Sequence, residues 1–219
     1  MRRSEDGTDA EPDPTCGLCP RLVAYRGANR ETHPDWHNAP VPSFGPQGAR
    51  LLIVGLAPGV SGANRTGRPF TGDFAGDILY AALFRHGFAQ GSYDRRRDDS
   101  LQLLDCRVTN AVRCVPPENK PVGREITTCR GFLTGQLTQA PAPRVVLTLG
   151  AIAHGSTIRA LGERLARCPF GHDVFYELAK GPTVVASYHT SRYNLNTGRL
   201  TEAMFETVVA RVRRLVDRA

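Results

Sequence analysis

The chain reads as an α/β domain whose mostly parallel sheet is covered on both faces by helices. Three observations predict this. Apolar runs of strand length recur along the chain. Longer stretches with apolar residues at helical spacing alternate with them. The loops where the runs end hold most of the glycine, proline and unusual polar side chains. Parallel strands need right-handed crossovers, and those crossovers place helices on both faces of the sheet.

Residues 1–15 carry two arginines against five acids, include two prolines and lack an apolar cluster, so a disordered acidic tail is expected there. Residues 16–219 then form a single domain. Cys16-Gly17-Leu18-Cys19-Pro20 opens a short helical segment through Leu22, Val23 and Tyr25, and residues 28–48 are expected to be irregular. A strand follows at Arg50–Val54, and a helix over roughly Asp73–His86 repeats Ile78, Leu79, Ala82 and Leu83 on one face. The run Asp94-Arg95-Arg96-Arg97-Asp98-Asp99 reads as a solvated turn. Cys106–Val112 is a second strand, followed by a proline-rich loop from Cys114 to Pro121 and a helix through Cys129, Phe132 and Leu137. Val145–Gly150 is a third strand with a helix over Ala151–Leu165 behind it, and Val174–Tyr176 is an edge strand. Thr183–Ser187 is the last core strand and feeds a loop from Tyr188 to Arg199. The closing helix carries the stripe Phe205, Val208, Val209, Val212, Leu215 and Val216, with acids early and arginines late as the helix dipole prefers.

The linker from Gly55 to Asp73 stands out. Connections in compact domains are usually shorter than about 12–15 residues unless they are functional or disordered. This one carries glycine at 55, 59, 62, 67 and 72 and proline at 58 and 69, on the exit edge of a buried strand where α/β sheets place ligands. The loops after Val54, Val112 and Ser187 are expected to share one rim.

Formal net charge is +7, and because the first fifteen residues contribute −3, the remainder carries +10. Lysine occurs only at 120 and 180, so nearly all of this charge is arginine, whose fork suits bidentate phosphate contact. A nucleic-acid partner follows. No apolar run reaches membrane-spanning length and the start of the chain lacks the apolar centre of a signal peptide, so a cytoplasmic monomer is expected.

Six cysteines in such a chain point to metal ligation or buried thiols rather than disulfides. Cys16 and Cys19 form a C-x-x-C pair, and Cys114 and Cys129 offer a second pair with fourteen residues between them. Four thiolates suit zinc or a [4Fe–4S] cluster, and spacing does not choose between them. Cys106 and Cys168 read as ordinary buried thiols.

Three motifs now carry a resemblance. Gly55-Leu56-Ala57-Pro58-Gly59 with Asn64 to Asp73, Arg113 to Pro121, and Ser187-Tyr188-His189 with Ser191-Arg192 and Thr197 to Leu200 together resemble family 5 (type b) uracil-DNA glycosylases. The match runs in order from about Cys16 to the final helix. It implies a three-layer α/β/α sandwich around a four-stranded, mostly parallel sheet. It also implies a [4Fe–4S] cluster on Cys16, Cys19, Cys114 and Cys129, and excision of uracil and related deaminated bases from DNA.

Such an enzyme extrudes its target nucleotide into a pocket and must then stabilise a departing base anion and position water at the sugar. His189 is the candidate donor to the base, and Asp73 and Asn119 are the candidates for holding water. In better-known uracil enzymes a carboxylate aligns with Ala57 and handles the water; family 5 enzymes resemble this chain in lacking it, and the role passes to the aspartate aligned with Asp73. Asp73 also stands where a helix N-cap belongs. Gly55, Ala57, Gly59, Phe70 and Asn110 are the candidates for holding the base, Phe70 by stacking and Asn110 by reading an edge. Gly59 aligns with a tyrosine of strict uracil enzymes, so 5-substituted bases are expected to fit. Asn64, Arg65, Arg68, Ser191, Arg192, Tyr193, Asn194 and Arg199 are the candidates for DNA contact, with Tyr193 or Leu195 as the wedge into the duplex.

Overall fold

The computed structural model describes residues 10–218. In chain order the elements are α1 (Pro20–Thr32), β1 (Leu51–Gly55), α2 (Ala63–Thr66), α3 (Phe74–Arg85), β2 (Ala89–Gln90), β3 (Gln102–Leu103), β4 (Cys106–Asn110), α4 (Gly123–Thr138), β5 (Val145–Leu149), α5 (Ala151–Ala160), β6 (Val174–Glu177), β7 (Thr183–Ser187), α6 (Arg192–Asn196) and α7 (Glu202–Asp217). The main sheet has the order β4-β1-β5-β7-β6. Its first four strands are parallel, and β6, the expected edge strand, adds a fifth antiparallel to β7.

Alternation along β1 builds the three layers. Leu51 and Ile53 enter a core with Leu79 and Leu83 of α3 and with the Phe205, Val208, Val209, Val212 and Val216 stripe of α7. Leu52 and Val54 point the other way, into a core with Leu133 and Leu137 of α4 and Ala153 of α5. Every residue of β1 and β5 is buried, as a strand covered on both faces requires. Each large apolar side chain so buried contributes about 1.5–3 kcal/mol relative to exposure.

Register brings the strand exits to one rim: Gly55 pairs with Asn110, and Leu149 with Ser187. Several elements differ from the sequence reading. Helix α1 continues to Thr32, well into the stretch expected to be irregular, and α5 stops at Ala160 rather than Leu165. A short helix, α6, lies inside the expected loop 188–199, capped by the Ser191 hydroxyl accepting from the Asn194 N–H. A two-strand ribbon, β2 with β3, has no counterpart in the sequence pattern, because strands of two residues leave no periodicity to read.

The expected tail is docked at its C-terminal end. Glu11 accepts from the Ser43 N–H and from the side chains of Gln136, Arg107 and Arg113. Residues 1–9 of that expectation lie outside the described residues. Four donors, two of them guanidinium groups, hold this carboxylate, which is why an acidic, apolar-poor segment packs here.

Candidate active site

A cleft of about 820 Å³ opens at the carboxyl ends of the parallel strands. Leu56, Ala57, Gly59, Gly72 and Asp73 of the long linker line one side, Asn119 another, and His189, Ser191 and Arg192 a third. The linker is fixed from behind. The fully buried Tyr80 donates its hydroxyl to Pro69 O at 2.7 Å, and Tyr93 donates to Phe70 O at 3.1 Å. Main chain at 37 and 38 donates to the carbonyls of Arg65 and Asn64.

The two carboxylate oxygens of Asp73 face different ways. One carboxylate oxygen, Oδ1, accepts the Gly76 N–H at 3.1 Å and caps α3. The other, Oδ2, faces Gly59 and Gly62, where added β-carbons would lie 3.3 and 2.4 Å from it. A side chain at 62 would collide with the carboxylate, so glycine there makes room for it. Burial raises the Asp73 carboxyl above its ordinary value, against the hydrogen bond from Gly76.

His189 follows β7, and burial pushes its imidazole down to about 4. At neutral pH it is therefore an uncharged ring that can donate one N–H. Asn194 donates its side-chain amide to His189 O at 2.8 Å, so α6 pins the main chain of the histidine.

Phe70 lies with its ring centroid 5.7 Å from that of His189, the planes 24° apart. A β-carbon at Gly55 would lie 2.5 Å from Phe70 Cζ and 2.4 Å from Asn110 Oδ1, so glycine is what lets ring and amide converge on the strand end. Phe70 itself holds φ 52°, a left-handed conformation that is strained for a bulky residue, by about 1–2 kcal/mol. Local strain kept by over-determined surroundings is common at binding sites. Asn119 also holds a positive φ, 56°, at the end of a 3-10 turn over Pro117–Asn119.

The structure places the candidate DNA-contact residues unequally. Arg65, Arg192, Tyr193 and Arg199 are exposed, and Tyr193 is 71% exposed while Leu195 packs against the main core. Ser191 lines the cleft. Arg68 and Asn64 are corrected: both are buried inside the linker. Arg68 forms a two-pronged pair with Asp99, each contact 2.7 Å, and its guanidinium lies 5.0 Å from the Phe44 ring centroid. The Asn64 amide donates to Asn38 Oδ1 at 2.9 Å. Neither offers a surface to a phosphate. The amide of Asn194 is committed to His189 O rather than to solvent.

Sequence reasoning missed the loop after β5. Leu149, Gly150, Ala151, Ile152 and Ala153 form a wall of the cleft, and Ile152 is 42% exposed at its edge. Gly150 after a buried strand was the available signal; its φ of 94° admits glycine far more readily than other residues. Asp77 and Arg95, also in the lining, carried no motif.

Behind the cleft, Cys16, Cys19, Cys114 and Cys129 line one small apolar pocket with Leu22, Val23, Val112 and Phe132. Ala57 packs against this cluster while also lining the cleft, so it separates the two sites. Arg26 donates to Cys114 Sγ at 3.2 Å, and the Arg113 N–H to Cys129 Sγ at 3.3 Å. Two further Arg113 donors, Nε and Nη1, are buried in this region without a partner among the described residues. Sulfurs receiving N–H donors, with two unpartnered guanidinium donors of Arg113 beside them, suit an anionic thiolate-bound group. Among the described residues no three His, Cys, Asp or Glu side chains converge closely enough to hold a single ion. Cys106 and Cys168 are buried elsewhere, as expected.

The fold and site define an α/β protein with a ligand cleft at a parallel-sheet rim, lined by a neutral imidazole and a desolvated carboxylate. The family described as the uracil DNA glycosylase superfamily matches residues 42–213, and the chain belongs to it. Among its relatives, a Type-5 uracil-DNA glycosylase of Thermus thermophilus is 44% identical over 206 residues, covering 91% of this chain and 93% of the relative. Type-5 uracil-DNA glycosylases of Pyrobaculum aerophilum and Mycobacterium leprae are each 40% identical, covering 90% and 91% of this chain and 87% and 91% of the relatives. Among the described residues no helix is long and apolar enough to cross a membrane.

Proposed function

We propose that the protein excises uracil and 5-substituted uracils from DNA by hydrolysing the N-glycosidic bond, leaving an abasic site. The observation that carries this reading is that His189 and Asp73 line one cleft, with the Phe70 ring packed against His189. The target nucleotide leaves the duplex, at a cost of a few kcal/mol that is smaller for a mispaired base. Phe70 stacks on the base and the Asn110 amide reads its edge. Exposed Tyr193 enters the gap left in the stack, and Arg65, Arg192 and Arg199 with Ser191 hold the flanking backbone.

As the bond from the sugar to the base breaks, its electron pair leaves with the base and the sugar becomes an oxocarbenium-like cation. Neutral His189 donates a hydrogen bond to the base oxygen that gathers negative charge, a contact worth about 2.7–4 kcal/mol in such transition states. A neutral donor suits this step because it stabilises the anion without protonating it beforehand. Oδ2 of Asp73, kept clear by Gly59 and Gly62, orients a water towards the sugar and takes its proton as the C–O bond forms, and Asn119 helps hold that water.

Cys16, Cys19, Cys114 and Cys129 hold a [4Fe–4S] cluster in this reading, which staples the N-terminal segment to α4 and to the floor beneath Ala57. The N–H donors to two of the sulfurs and the two unpartnered donors of Arg113, Nε and Nη1, support an anionic group there. The protein acts as a cytoplasmic monomer on damaged or uracil-containing DNA.

The test is incubation with a uracil-containing duplex followed by alkali. Strand scission over many turnovers is expected. A stable protein–DNA adduct would make the protein a trap, and no change to the duplex would remove the catalytic reading.

A further inference from the structure

The buried pair between Arg68 and Asp99 has its effect on the loop it anchors. Asp99 accepts from both prongs of Arg68 and from the N–H groups of Asp94 and Leu101, and Arg68 also reaches Arg97 O. Both side chains are almost fully enclosed, 4% and 0% exposed. Burial alone would raise the Asp99 carboxyl, but these donors hold it down at about 2. The other end of the loop is tied by Tyr93, which meets Phe70 and Gly72 in the linker. The arginine run is therefore a solvated turn, as its composition suggested, but one held in place at both ends.

That turn carries Arg95 to the mouth of the cleft, where it lines the wall with Asp77. Arg95 holds φ 58°, an uncommon conformation for a residue other than glycine, asparagine or aspartate. Its guanidinium makes a two-pronged contact with Asp77, Nε to Oδ1 at 2.8 Å and Nη2 to Oδ2 at 2.7 Å, while remaining 66% exposed. Of the neighbouring charges, Asp99 is engaged by Arg68, and Asp98 lies 3.8 Å from Arg96. An ion pair this exposed is worth little, typically below about 1 kcal/mol. A phosphodiester presents two oxygens in the same fork geometry as a carboxylate.

We infer that Arg95 is a DNA-phosphate contact, parked on Asp77 in the free protein and exchanged onto a backbone phosphate beside the extruded nucleotide. Arg192 lines the same mouth, with its guanidinium 5.3 Å from the Phe74 ring centroid, so both arginines rest on residues of the first turn of α3. The inference rests on DNA as the ligand of this cleft.

The experiment compares wild type, Arg95→Asn and Arg95→Lys; asparagine tolerates the left-handed backbone, which keeps the loop path. Equilibrium affinity for an intact, uracil-free duplex is measured from 50 to 200 mM salt, alongside kcat and KM on a uracil-containing duplex. Removing one arginine–phosphate pair should flatten the plot of log affinity against log salt by about 0.9 for Arg95→Asn, with the loss in excision falling on KM, and Arg95→Lys should keep the wild-type slope. A wild-type slope in Arg95→Asn overturns the inference, and so does a loss confined to kcat. The uracil-free duplex separates the two readings: wild type that binds it yet excises nothing refutes the glycosylase activity while leaving the Arg95 slopes to be read.

Discussion

Oδ2 of Asp73 stands 3.3 Å from the point where a side chain at Gly59 would begin, so the two residues share one space at the edge of the cleft. The alignment of Gly59 with a tyrosine in strict uracil enzymes suggests that glycine simply opens the pocket beside carbon 5 of the base. Here a β-carbon at 59 meets the carboxylate first.

Wild-type protein is expected to excise 5-hydroxymethyluracil as well as uracil. Gly59→Ala forces Asp73 to give by a few tenths of an ångström and should lower both rates by a similar factor, roughly 10-fold; a 1 Å misplacement at a reacting centre costs about 10²-fold. Single-turnover rates on the two substrates decide this. Loss of the 5-substituted activity alone would show that position 59 acts on the base and not on the carboxylate.

Asp73→Asn separates the cap from the chemistry. Asparagine caps helices as well as aspartate does, so α3 should keep its start. Burial raises the folded pKa of Asp73, so the unfolded chain releases this proton first and stability falls as pH rises above the ordinary carboxylate value of 3.8. The amide variant should therefore melt at or above the wild-type Tm at neutral pH while its single-turnover rate falls by about 10²–10⁴-fold. A variant that cleaves at the wild-type rate would leave Asp73 with the cap alone.

His189→Ala should lower the single-turnover rate by roughly 10²- to 10³-fold with duplex affinity little changed. The ring's folded pKa of about 4 lies below its ordinary 6.5. The unfolded chain takes the proton first, so the stability from burying neutral His189 is complete above about pH 6.5 and is lost as pH falls towards 4. In wild type no loss of rate from His189 protonation is expected between pH 7 and 5. A rate that titrates near pH 6.5 and loses that step in His189→Ala would contradict a neutral donor.

Purified protein should be brown and contain iron and sulfide. Cys114→Ser and Cys129→Ser should lose both and lower Tm by an amount on the order of 10 °C, because ligation and folding are coupled. Stoichiometric zinc in anaerobically prepared protein would reverse the assignment.

Arg68→Ala should be costly to stability, since it leaves Asp99 buried without its partner. Breaking such a pair costs about 3–5 kcal/mol, or roughly 6–20 °C of Tm for a chain of this size. Thermal melts read this directly. A variant as stable as wild type would mean that Asp99 is held by its backbone donors alone.

The sequence by itself determined the parallel sheet, the order of its covering helices and the loops that meet at the rim. Those follow from periodicity and from glycine and proline placement, which act over a few residues and so are written locally. Leu51–Val54 and Val145–Leu149 had to be covered on both faces, and the α7 stripe had to meet one of them. Spacing along the chain also marked Asp73 as a helix cap and the two cysteine pairs, while His189 stood out through the resemblance of its motif. Only the tertiary structure decided which arginines are exposed. Arg65 and Arg68 are three residues apart in one loop and alike in type, yet one is exposed and the other is enclosed by Asp99, thirty-one residues further on. The docking of Glu11 on Arg107 and Arg113, and the meeting of Arg95 with Asp77, are long-range ion pairs of the same kind. A charge pairs with whatever the packed core brings within reach, and that neighbour leaves no periodicity in the sequence.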